Sequence, residues 1–303
     1  VVKSTGSWYR VRLDDGAYHQ CRIKGKFRIG GLKSTNPMSV GDRVKLSFEG
    51  NDYLINEILQ RKNYIIRKSV NLSKQVHIIA SNIDQAFLIV TLVSPFTSTG
   101  FIDRFLVTAE AYQVPTIIVF NKVDLYDEFD RAYHDEVVKV YSDAGYECVE
   151  VSALNQQNIS LLKERMKDNV TLLSGHSGVG KSTLVNAIDP NLDLLTQQVS
   201  DAHQKGMHTT TFAEMFELDF GGFIIDTPGI KGIGLVEIED SELADYFPEM
   251  LAYKGQCKFH NCKHLNEPKC AVKSALDTGE IHLIRYDSYI SILEDDGNQY
   301  RES

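Results

Sequence analysis

The sequence predicts an α/β protein in which a doubly wound parallel sheet lies between an N-terminal all-β barrel and a C-terminal helical domain. Three observations lead to this prediction. Apolar runs alternate with segments of helical length in the middle of the chain, short β-favouring runs fill residues 1–62, and the apolar spacing becomes helical beyond about residue 235. We therefore expect three domains, at residues 1–63, 64–234 and 235–303.

The central sheet is predicted from apolar runs that are too continuous for strands with one face in water. Strands buried on both faces have this pattern, and the segments between them have the length and periodicity of helices. The runs lie at residues 86–90, 116–120, 148–151, 170–173 and 223–225, and the helical segments lie at 102–112, 130–144, 159–168 and 181–188.

The N-terminal segment alternates β-favouring residues with Gly, Asp and Asn turns. Five short strands at this spacing predict a small barrel of the OB-fold type. A small barrel without a nucleic-acid function is the alternative. The pattern is carried by residues 7–13, 17–23, 40–46 and 53–55, with a further turn at Gly30-Gly31.

The charge of −9 is unevenly distributed along the chain. Residues 1–70 contain 14 Lys and Arg against 6 Asp and Glu, whereas the remainder contains 18 against 35. A basic N-terminal segment in an otherwise acidic chain indicates a polyanionic partner such as RNA. A β-domain that is basic only for solubility is the alternative. The local basic residues are Arg22, Lys24, Lys26 and Arg28.

Composition and cysteine usage favour a cytoplasmic protein with no membrane partner. The chain has no apolar run of about 20 residues, which a membrane-spanning helix needs, and its first residues lack the pattern of a secretion signal. Five cysteines, three of them crowded between Cys257 and Cys270, argue against a disulfide framework.

A phosphate-binding loop is predicted after the strand at 170–173. Residues 175–182 fit G-x-x-x-x-G-K-[ST], with a strand before the loop and a helix after it. Backbone N–H groups of such a loop point at phosphate oxygens, while Lys181 would contact the β- and γ-phosphates and Ser182 would bind Mg²⁺. The predicted nucleotide-binding residues are Gly175, His176, Ser177, Gly178, Val179, Gly180, Lys181, Ser182 and Thr183.

The motif Asn121-Lys122-Val123-Asp124 selects guanine over adenine. It follows the strand at 116–120, at the strand end where doubly wound sheets bind ligands. The Asp124 carboxylate is suited to accept hydrogen bonds from guanine N1–H and the exocyclic amino group. Asn121 would tie this loop to the phosphate loop, and the Lys122 stem would lie along the base. Ser152 and Ala153, after the next strand, fit the loop that meets guanine O6.

Two further segments fit the switches of a GTPase. Asp226-Thr227-Pro228-Gly229 follows the strand at 223–225, so that Asp226 would hold Mg²⁺ through water and the Gly229 N–H would meet the γ-phosphate. The run from Gly206 to Thr211 contains three threonines, of which Thr210 is favoured as the Mg²⁺ ligand, with Thr209 and Thr211 left open. A plain turn and an edge strand are the alternatives for the two segments.

The order of these motifs predicts a circular permutation. Small GTPases begin with the phosphate loop, whereas here the guanine motifs at 121–124 and 152–154 precede it. Joining the original termini and opening the chain elsewhere produces this order, because termini of domains often lie close together. Gly229 then leads directly into residues 235–303, so that a nucleotide-dependent movement would pull on the C-terminal domain.

The hydrolytic step is predicted to be slow without a partner. Ile230 stands where Ras-like enzymes place the glutamine that orients the attacking water. His208, beside the switch threonines, is the candidate for that role, since imidazole accepts a hydrogen bond at neutral pH. A surface histidine in a mobile loop is the alternative.

A structural zinc site is predicted in the C-terminal domain. Three thiolates and an imidazole within fourteen residues suit a closed tetrahedral Zn²⁺ site, and His260 is a rival ligand. Cys21 and Cys148 are expected to be ordinary core residues. The predicted ligands are Cys257, Cys262, His264 and Cys270, with the spacing C-x₄-C-x-H-x₅-C.

With these features in place, the whole chain resembles the RsgA (YjeQ/YloQ) family of circularly permuted GTPases that depend on the small ribosomal subunit. The family's G-x-H-T-T-T box matches residues 206–211 and supports His208 in the water-orienting role. The resemblance implies late assembly of the small ribosomal subunit, rRNA contacts from the barrel and the zinc domain, hydrolysis stimulated by the subunit, and a monomer. A guanine-nucleotide-regulated RNA-binding module with incidental hydrolysis is the alternative; a phosphate-transferring metabolic enzyme conflicts with Asn121–Asp124.

Overall fold

The computed structural model describes residues 1–24, 38–50, 52–68, 76–192, 213–226 and 238–294. Within these ranges, the strands are β1 (Lys3–Ser4), β2 (Tyr9–Arg12), β3 (Tyr18–Ile23), β4 (Val44–Glu49), β5 (Asp52–Ile58), β6 (Tyr64–Lys68), β7 (Val76–Ser81), β8 (Gln85–Val90), β9 (Thr116–Phe120), β10 (Glu147–Glu150), β11 (Val170–Ser174), β12 (Glu214–Glu217) and β13 (Phe223–Asp226). The helices are α1 (Thr99–Ala111), α2 (Glu128–Asp143), α3 (Ile159–Met166), α4 (Lys181–Ile188), α5 (Pro248–Leu251), α6 (Ala271–Asp277) and α7 (Leu283–Leu293), with 3₁₀ turns at Val123–Leu125, Pro190–Leu192 and Leu243–Tyr246.

The central sheet has the parallel, doubly wound arrangement that the apolar runs predict. Its strands follow the order β10-β9-β8-β11-β13-β12, and every pair except β12–β13 is parallel. Alternate residues of one strand face opposite sides, so that Leu88 packs with α1 and α2 whereas Phe87 packs with α3 and α4. Helices therefore cover both faces, and the predicted fold class is confirmed.

Helix starts are set by capping rather than by the apolar pattern. Helix α1 begins three residues before the predicted position because the Ser98 side chain accepts a hydrogen bond from the Phe101 N–H. Helix α2 begins at Glu128 because Asp127 and Asp130 form a reciprocal capping box.

The N-terminal strands follow the order β1-β2-β3-β5-β4, with a parallel β3–β5 pair that fits the Greek-key path of an OB-like barrel. The predicted strand at 40–46 is wrong in position, since β4 begins at Val44. Two residues before Val44 explain the difference. Gly41 has φ of +92° and makes a turn against Ser81. Asp42 is buried, and its carboxylate accepts a hydrogen bond from Arg61 at 2.6 Å. Residues Gly30 and Gly31 lie outside the described residues.

One feature was not predicted: the N-terminal strands and the central sheet form one continuous sheet. The two-residue strand β1 pairs with β2 on one side and with β12 on the other. The register places Lys3 opposite Glu214, and the two side chains form an ion pair of 2.7 Å. Strands β6 and β7 form a separate antiparallel pair between the two regions of the chain.

The C-terminal helices pack against α1 of the central domain. Their apolar cluster includes Val107 of α1 together with Phe247, Tyr289 and Ile292. At the centre of this contact the Arg285 side chain is fully buried. Among the described residues, no helix is long and apolar enough to cross a membrane.

Candidate functional site

Five strands of the central sheet end at one edge, and the predicted motif loops follow from those ends. Parallel register aligns Val90 with Phe120, Phe120 with Glu150, and Leu173 with Asp226. The loops that begin after these residues therefore meet at the carboxyl edge of the sheet, where ligands of doubly wound folds bind. Motifs that are far apart and permuted in sequence are brought together by this geometry.

The phosphate loop joins β11 to α4 and depends on glycine at two close approaches. Gly175 has φ of +143°, and an added Cβ would lie 2.3 Å from the Ile89 carbonyl oxygen. Gly180 has φ of +91°, and its added Cβ would lie 2.6 Å from Asn121 Nδ2. A side chain at Gly175 would collide with strand β8 and one at Gly180 with the Asn121 loop, so the glycines permit both the backbone conformation and the packing.

Lys181, the first residue of α4, folds over the phosphate loop. Its ammonium group donates hydrogen bonds to the Gly175 oxygen at 2.5 Å and the His176 oxygen at 2.9 Å. Burial lowers the pKa of Lys181, and the charge of Asp226 opposes that shift. A partly desolvated cation held over a loop of backbone amides is a suitable contact for phosphate oxygens.

Asn121 connects the three predicted nucleotide loops. It is buried, its Nδ2 donates to the Val179 oxygen of the phosphate loop at 2.9 Å, and its Oδ1 accepts from the Ala153 N–H at 3.3 Å. The predicted tie between the guanine loop and the phosphate loop is present in the structure. The same side chain reaches the loop of Ser152, which is buried and accepts a hydrogen bond from Asn155 N–H at 3.0 Å.

The two charged residues of the guanine motif differ in their contacts. Lys122 has φ of +64°, and its ammonium donates to the Ser94 oxygen at 2.6 Å and the Gly178 oxygen at 2.8 Å. Asp124 lies in the 3₁₀ turn and is half-buried. Its carboxylate makes no hydrogen bond to any residue in the described part of the chain, so its oxygens remain able to accept from a base.

Residues predicted to bind Mg²⁺ lie on two neighbouring elements. Ser182 is in the first turn of α4, next to the predicted nucleotide-binding residue Thr183, and Asp226 is the last residue of β13, next to β11. A hydroxyl and a carboxylate are oxygen donors of the kind that Mg²⁺ prefers, and the donor set fits this ion. The predicted residues His208, Thr210, Gly229 and Ile230 lie outside the described residues.

The segment 91–97, between β8 and α1, also contacts the site, and sequence reasoning missed it. Thr97 Oγ1 lies 2.7 Å from His176 Nε2, and Ser94 accepts the Lys122 hydrogen bond described above. The segment matches no motif. The one available signal was its position at the carboxyl end of a central strand.

The four predicted zinc ligands converge in the C-terminal domain. Their ligand atoms lie within 4.8 Å of one another. Tetrahedral zinc with ordinary bond lengths places sulfur atoms about 3.8 Å apart and sulfur about 3.6 Å from nitrogen. The measured separations are 3.9 Å from Cys257 Sγ to Cys270 Sγ, and 3.7 and 3.3 Å from His264 Nδ1 to these two sulfurs.

Surrounding groups suit a metal at this cluster. The Cys257 sulfur accepts from Ala271 N–H at 3.3 Å and the Cys270 sulfur accepts from Lys273 N–H at 3.4 Å, which favours thiolates. Burial lowers the pKa of His264 and so favours the neutral imidazole that binds metals. His260 is exposed and is not one of the four converging residues.

The cysteines outside the cluster differ in burial. Cys21 is fully buried in the N-terminal core, as predicted, whereas Cys148 is half-buried at the margin of the central core. Burial raises the pKa of the Cys148 thiol to about 11, so that this thiol is protonated at neutral pH.

Comparisons with known protein families agree with the geometry. The model of the RsgA GTPase matches residues 58–236, and that of the RsgA N-terminal domain matches residues 1–53. A protein of Christiangramia forsetii, named small ribosomal subunit biogenesis GTPase RsgA, is 56% identical over 305 residues, covering 99% of this chain and 97% of the relative. A Bacteroides fragilis protein of the same name is 54% identical over 297 residues, covering 97% and 96%.

Solved structures give the same result. The crystal structure of YjeQ from Thermotoga maritima matches with a TM-score of 0.80 and 38% identity, covering 97% of this chain and 95% of that one. The crystal structure of YloQ, described as a circularly permuted GTPase, matches with a TM-score of 0.75 and 32% identity, covering 97% and 92%. The motif order, the sheet and these matches agree, and the chain belongs to the RsgA family of GTPases.

Proposed function

We propose that this protein binds GTP with Mg²⁺ in the pocket at the carboxyl edge of the sheet, hydrolyses it to GDP and phosphate, and acts in late assembly of the small ribosomal subunit in the cytoplasm. The observation that carries the nucleotide assignment is Asn121, which hydrogen-bonds both the phosphate loop and the Ala153 loop. The ribosomal role rests on the name shared by the relatives. Turnover stimulated by the subunit is part of the proposal.

Within the pocket, each group has a separate task. The amides of residues 175–181 and the Lys181 ammonium would bind the β- and γ-phosphates, while Asp124 would accept two hydrogen bonds from guanine. Mg²⁺, held by Ser182, Thr210 and Asp226, would neutralise charge that develops on the phosphates. The Gly229 N–H would complete the contact to the γ-phosphate.

His208 is proposed to orient the attacking water. The support is its position beside the switch threonines together with Ile230, a side chain that forms no hydrogen bond to water. His208→Ala should abolish most basal and stimulated turnover while leaving GDP affinity unchanged. Turnover equal to that of the wild type in both conditions would remove His208 from the mechanism.

Zinc at the Cys₃His cluster is proposed to be structural, with one ion per chain. Four protein ligands leave no open coordination position for catalysis. The domains are proposed at residues 1–63, 64–234 and 235–303, with the zinc cluster ordering the last of them. We propose a monomer with no membrane partner.

The N-terminal domain is proposed to contact rRNA. Rings of Phe48 and Tyr53 lie 5.0 Å apart, Tyr53 lies 4.2 Å from His19, and the Arg22 guanidinium stacks 3.8 Å over Trp8. Phe48 is exposed and the other three rings are half-buried, and accessible ring faces and guanidinium planes are surfaces on which unpaired bases stack. Lys24 forms an ion pair with Glu49, and Lys26 and Arg28 lie outside the described residues.

The test of the proposed function is GTP turnover with and without purified small ribosomal subunits. We expect slow turnover alone and strong stimulation by small subunits, with large subunits as the control. GTP binding without stimulation would favour the alternative, a guanine-nucleotide-regulated RNA-binding module in which hydrolysis is incidental. Co-sedimentation with subunits in GTP-analogue, GDP and nucleotide-free states would then show which form binds.

A further inference from the structure

We propose that Thr97 is a positioning residue for the phosphate loop and that it acts through His176. The proposal rests on the nucleotide site proposed above and adds to it a residue of the β8–α1 connection, which carries no GTPase motif. Its consequence is specific: Thr97 should affect binding of the nucleotide's phosphates rather than binding of its base.

The segment that carries Thr97 is held in one shape by its own hydrogen bonds. The Thr97 N–H donates to the Thr91 oxygen at 2.8 Å, the Thr91 N–H donates to Thr97 Oγ1 at 3.1 Å, and the Thr91 hydroxyl donates to the Pro95 oxygen at 2.5 Å. Both threonines are buried. The Thr97 hydroxyl is therefore fixed in place independently of the phosphate loop.

The partners of His176 determine the direction of its hydrogen bonds. His176 Nδ1 lies 3.1 Å from the Ser177 oxygen, which only accepts, so Nδ1 carries the hydrogen. In the neutral ring Nε2 then accepts from the Thr97 hydroxyl, 2.7 Å away. Phe101 packs edge-on against the imidazole, with ring centroids 5.3 Å apart. The ring is thus held from two sides by groups of the β8–α1 connection and of α1.

Holding the ring also holds one peptide group of the phosphate loop. The Ser177 carbonyl and the Gly178 N–H belong to the same planar trans peptide and point in opposite directions. A hydrogen bond from His176 to the Ser177 oxygen therefore fixes the direction of the Gly178 N–H, which is one of the amides of the phosphate cradle.

Contacts on Gly178 support the same role for the segment. A Cβ added to Gly178 would lie 3.3 Å from Pro95 Cγ and Cδ, so the segment packs directly on this glycine. Lys122 then joins the Ser94 oxygen to the Gly178 oxygen through its ammonium group. Residues 94–97 are therefore in contact with the phosphate loop at both His176 and Gly178.

The experiment measures affinities for GDP and GMP in the wild type, Thr97→Val and Thr97→Ser. Valine keeps the shape and removes the hydroxyl, and we expect about fivefold weaker GDP binding, the loss of one hydrogen bond. GMP ends before the β-phosphate, so its affinity should change less than twofold. Serine keeps the hydroxyl and should restore GDP binding.

Thr108→Val is the matched control. Thr108 is buried like Thr97, but it lies within α1, and its hydroxyl donates to the Arg104 oxygen of the same helix at 2.9 Å. This variant should match the wild type in GDP affinity. Equal losses for Thr97→Val and Thr108→Val, or equal losses for GDP and GMP, would overturn the proposal in favour of a general structural role.

A double substitution tests whether Thr97 acts through the histidine. In a His176→Leu background, Thr97→Val should cause no further loss of GDP affinity, because the hydrogen bond is already absent. Losses that multiply would contradict the pathway through His176. If the wild type itself fails to bind GDP, the proposed nucleotide site fails, which is a separate outcome from the failure of Thr97.

Discussion

The two flanking domains are attached to the central sheet by physically different contacts. The N-terminal domain continues the sheet through β1 and adds partly exposed ion pairs, whereas the C-terminal domain places a fully buried guanidinium against α1. The difference indicates that breaking an ion pair at the first attachment should cost little stability, whereas removing a charged partner of the buried guanidinium at the second should cost much more.

At the N-terminal junction, water screens most of the charges. The Met215 N–H donates to the Val2 oxygen at 2.9 Å, and Arg12 forms two hydrogen bonds to Glu217, at 2.6 and 2.8 Å. The side chains of this pair are 28% and 37% exposed. Exposed pairs of this kind contribute little to stability. The junction therefore depends mainly on backbone pairing.

At the C-terminal junction, the charges are removed from water. Arg285 Nη1 donates to Asp103 of α1 at 2.5 Å, and its Nε donates to Glu249 at 2.7 Å. Burial alone would lower the pKa of Arg285, but the two carboxylates raise it, so the guanidinium stays charged. Removing one partner from such a group leaves an uncompensated buried charge, which is strongly destabilising.

The largest expected effect is that of removing zinc. A chelator or Cys262→Ser should abolish hydrogen-exchange protection in residues 257–294, because metal binding contributes about 10 kcal/mol in small zinc domains. We expect helix α7 to lose protection as well, because its Tyr286 hydroxyl donates a hydrogen bond to the backbone oxygen of the zinc ligand His264 at 2.6 Å. Metal analysis should find about one zinc per chain before treatment.

The control for zinc removal is Cys148→Ser, a cysteine outside the cluster. This variant should retain both the metal and the exchange protection. Unchanged protection after complete loss of metal would show that the C-terminal domain does not need zinc for its order.

The second effect is the loss of the buried guanidinium. Arg285→Met should lower the free energy of unfolding by about 3–5 kcal/mol, since Asp103 and Glu249 would remain buried without their cation. Asp103→Asn in the same chain should recover part of the loss. The measurement is urea unfolding followed by circular dichroism.

Arg165→Met is the matched control, because Arg165 pairs with Glu147 on the surface of the central domain, with side chains 49% and 41% exposed. It should cost less than about 1 kcal/mol. Similar costs for the two arginine substitutions would contradict the contrast between buried and exposed attachments.

The smallest effect is expected at the N-terminal junction. Arg12→Met should lower stability by at most about 1 kcal/mol, and the difference from wild type should vanish in 1 M salt. Trp8 is the one tryptophan of the chain, so its fluorescence reports on this domain during urea unfolding. Lys45→Met, which breaks the exposed pair with Glu57 inside the domain, is the control for a pair that does not cross the junction.

Acid should act on the same pair. The Arg12 hydrogen bond lowers the pKa of Glu217 below its ordinary 4.5. A carboxylate with a lowered pKa in the folded state stabilises the protein above that ordinary value, and the contribution is lost as the pH falls through the lowered one. The Arg12→Met difference should therefore be constant near neutral pH, decline once the pH falls below 4.5, and disappear below the lowered pKa of Glu217. A difference that persisted in strong acid would show that packing, not charge, carries it.

The central sheet and its motif loops could be predicted because each signal is local. The run at 116–120 has the pattern of a buried strand, and Asn121 follows it directly, so strand and loop were placed together. The register of parallel strands then determines which loops meet. A motif of four residues, such as 121–124, is therefore enough to predict where its loop lies, provided that the strand before it is recognised.

The contacts that sequence reasoning missed have no local pattern. Asp103 and Arg285 are 182 positions apart, and each lies in a helix where a charged residue predicts a solvated face. Strand β1 has two residues, too few to show alternation, and its pairing with β12 joins distant segments. Thr97 lies in a connection whose role depends on what folds against it.

The most direct test of the central claim is the nucleotide preference of Asp124→Asn. If the permuted loops form one guanine pocket, this variant should lose affinity for GTP and gain affinity for XTP, since xanthine carries an oxygen where guanine carries its amino group. Asp127→Asn, which keeps a capping side chain at the start of α2, should behave as wild type. A variant Asp124→Asn that still prefers GTP as strongly as the wild type would contradict the account.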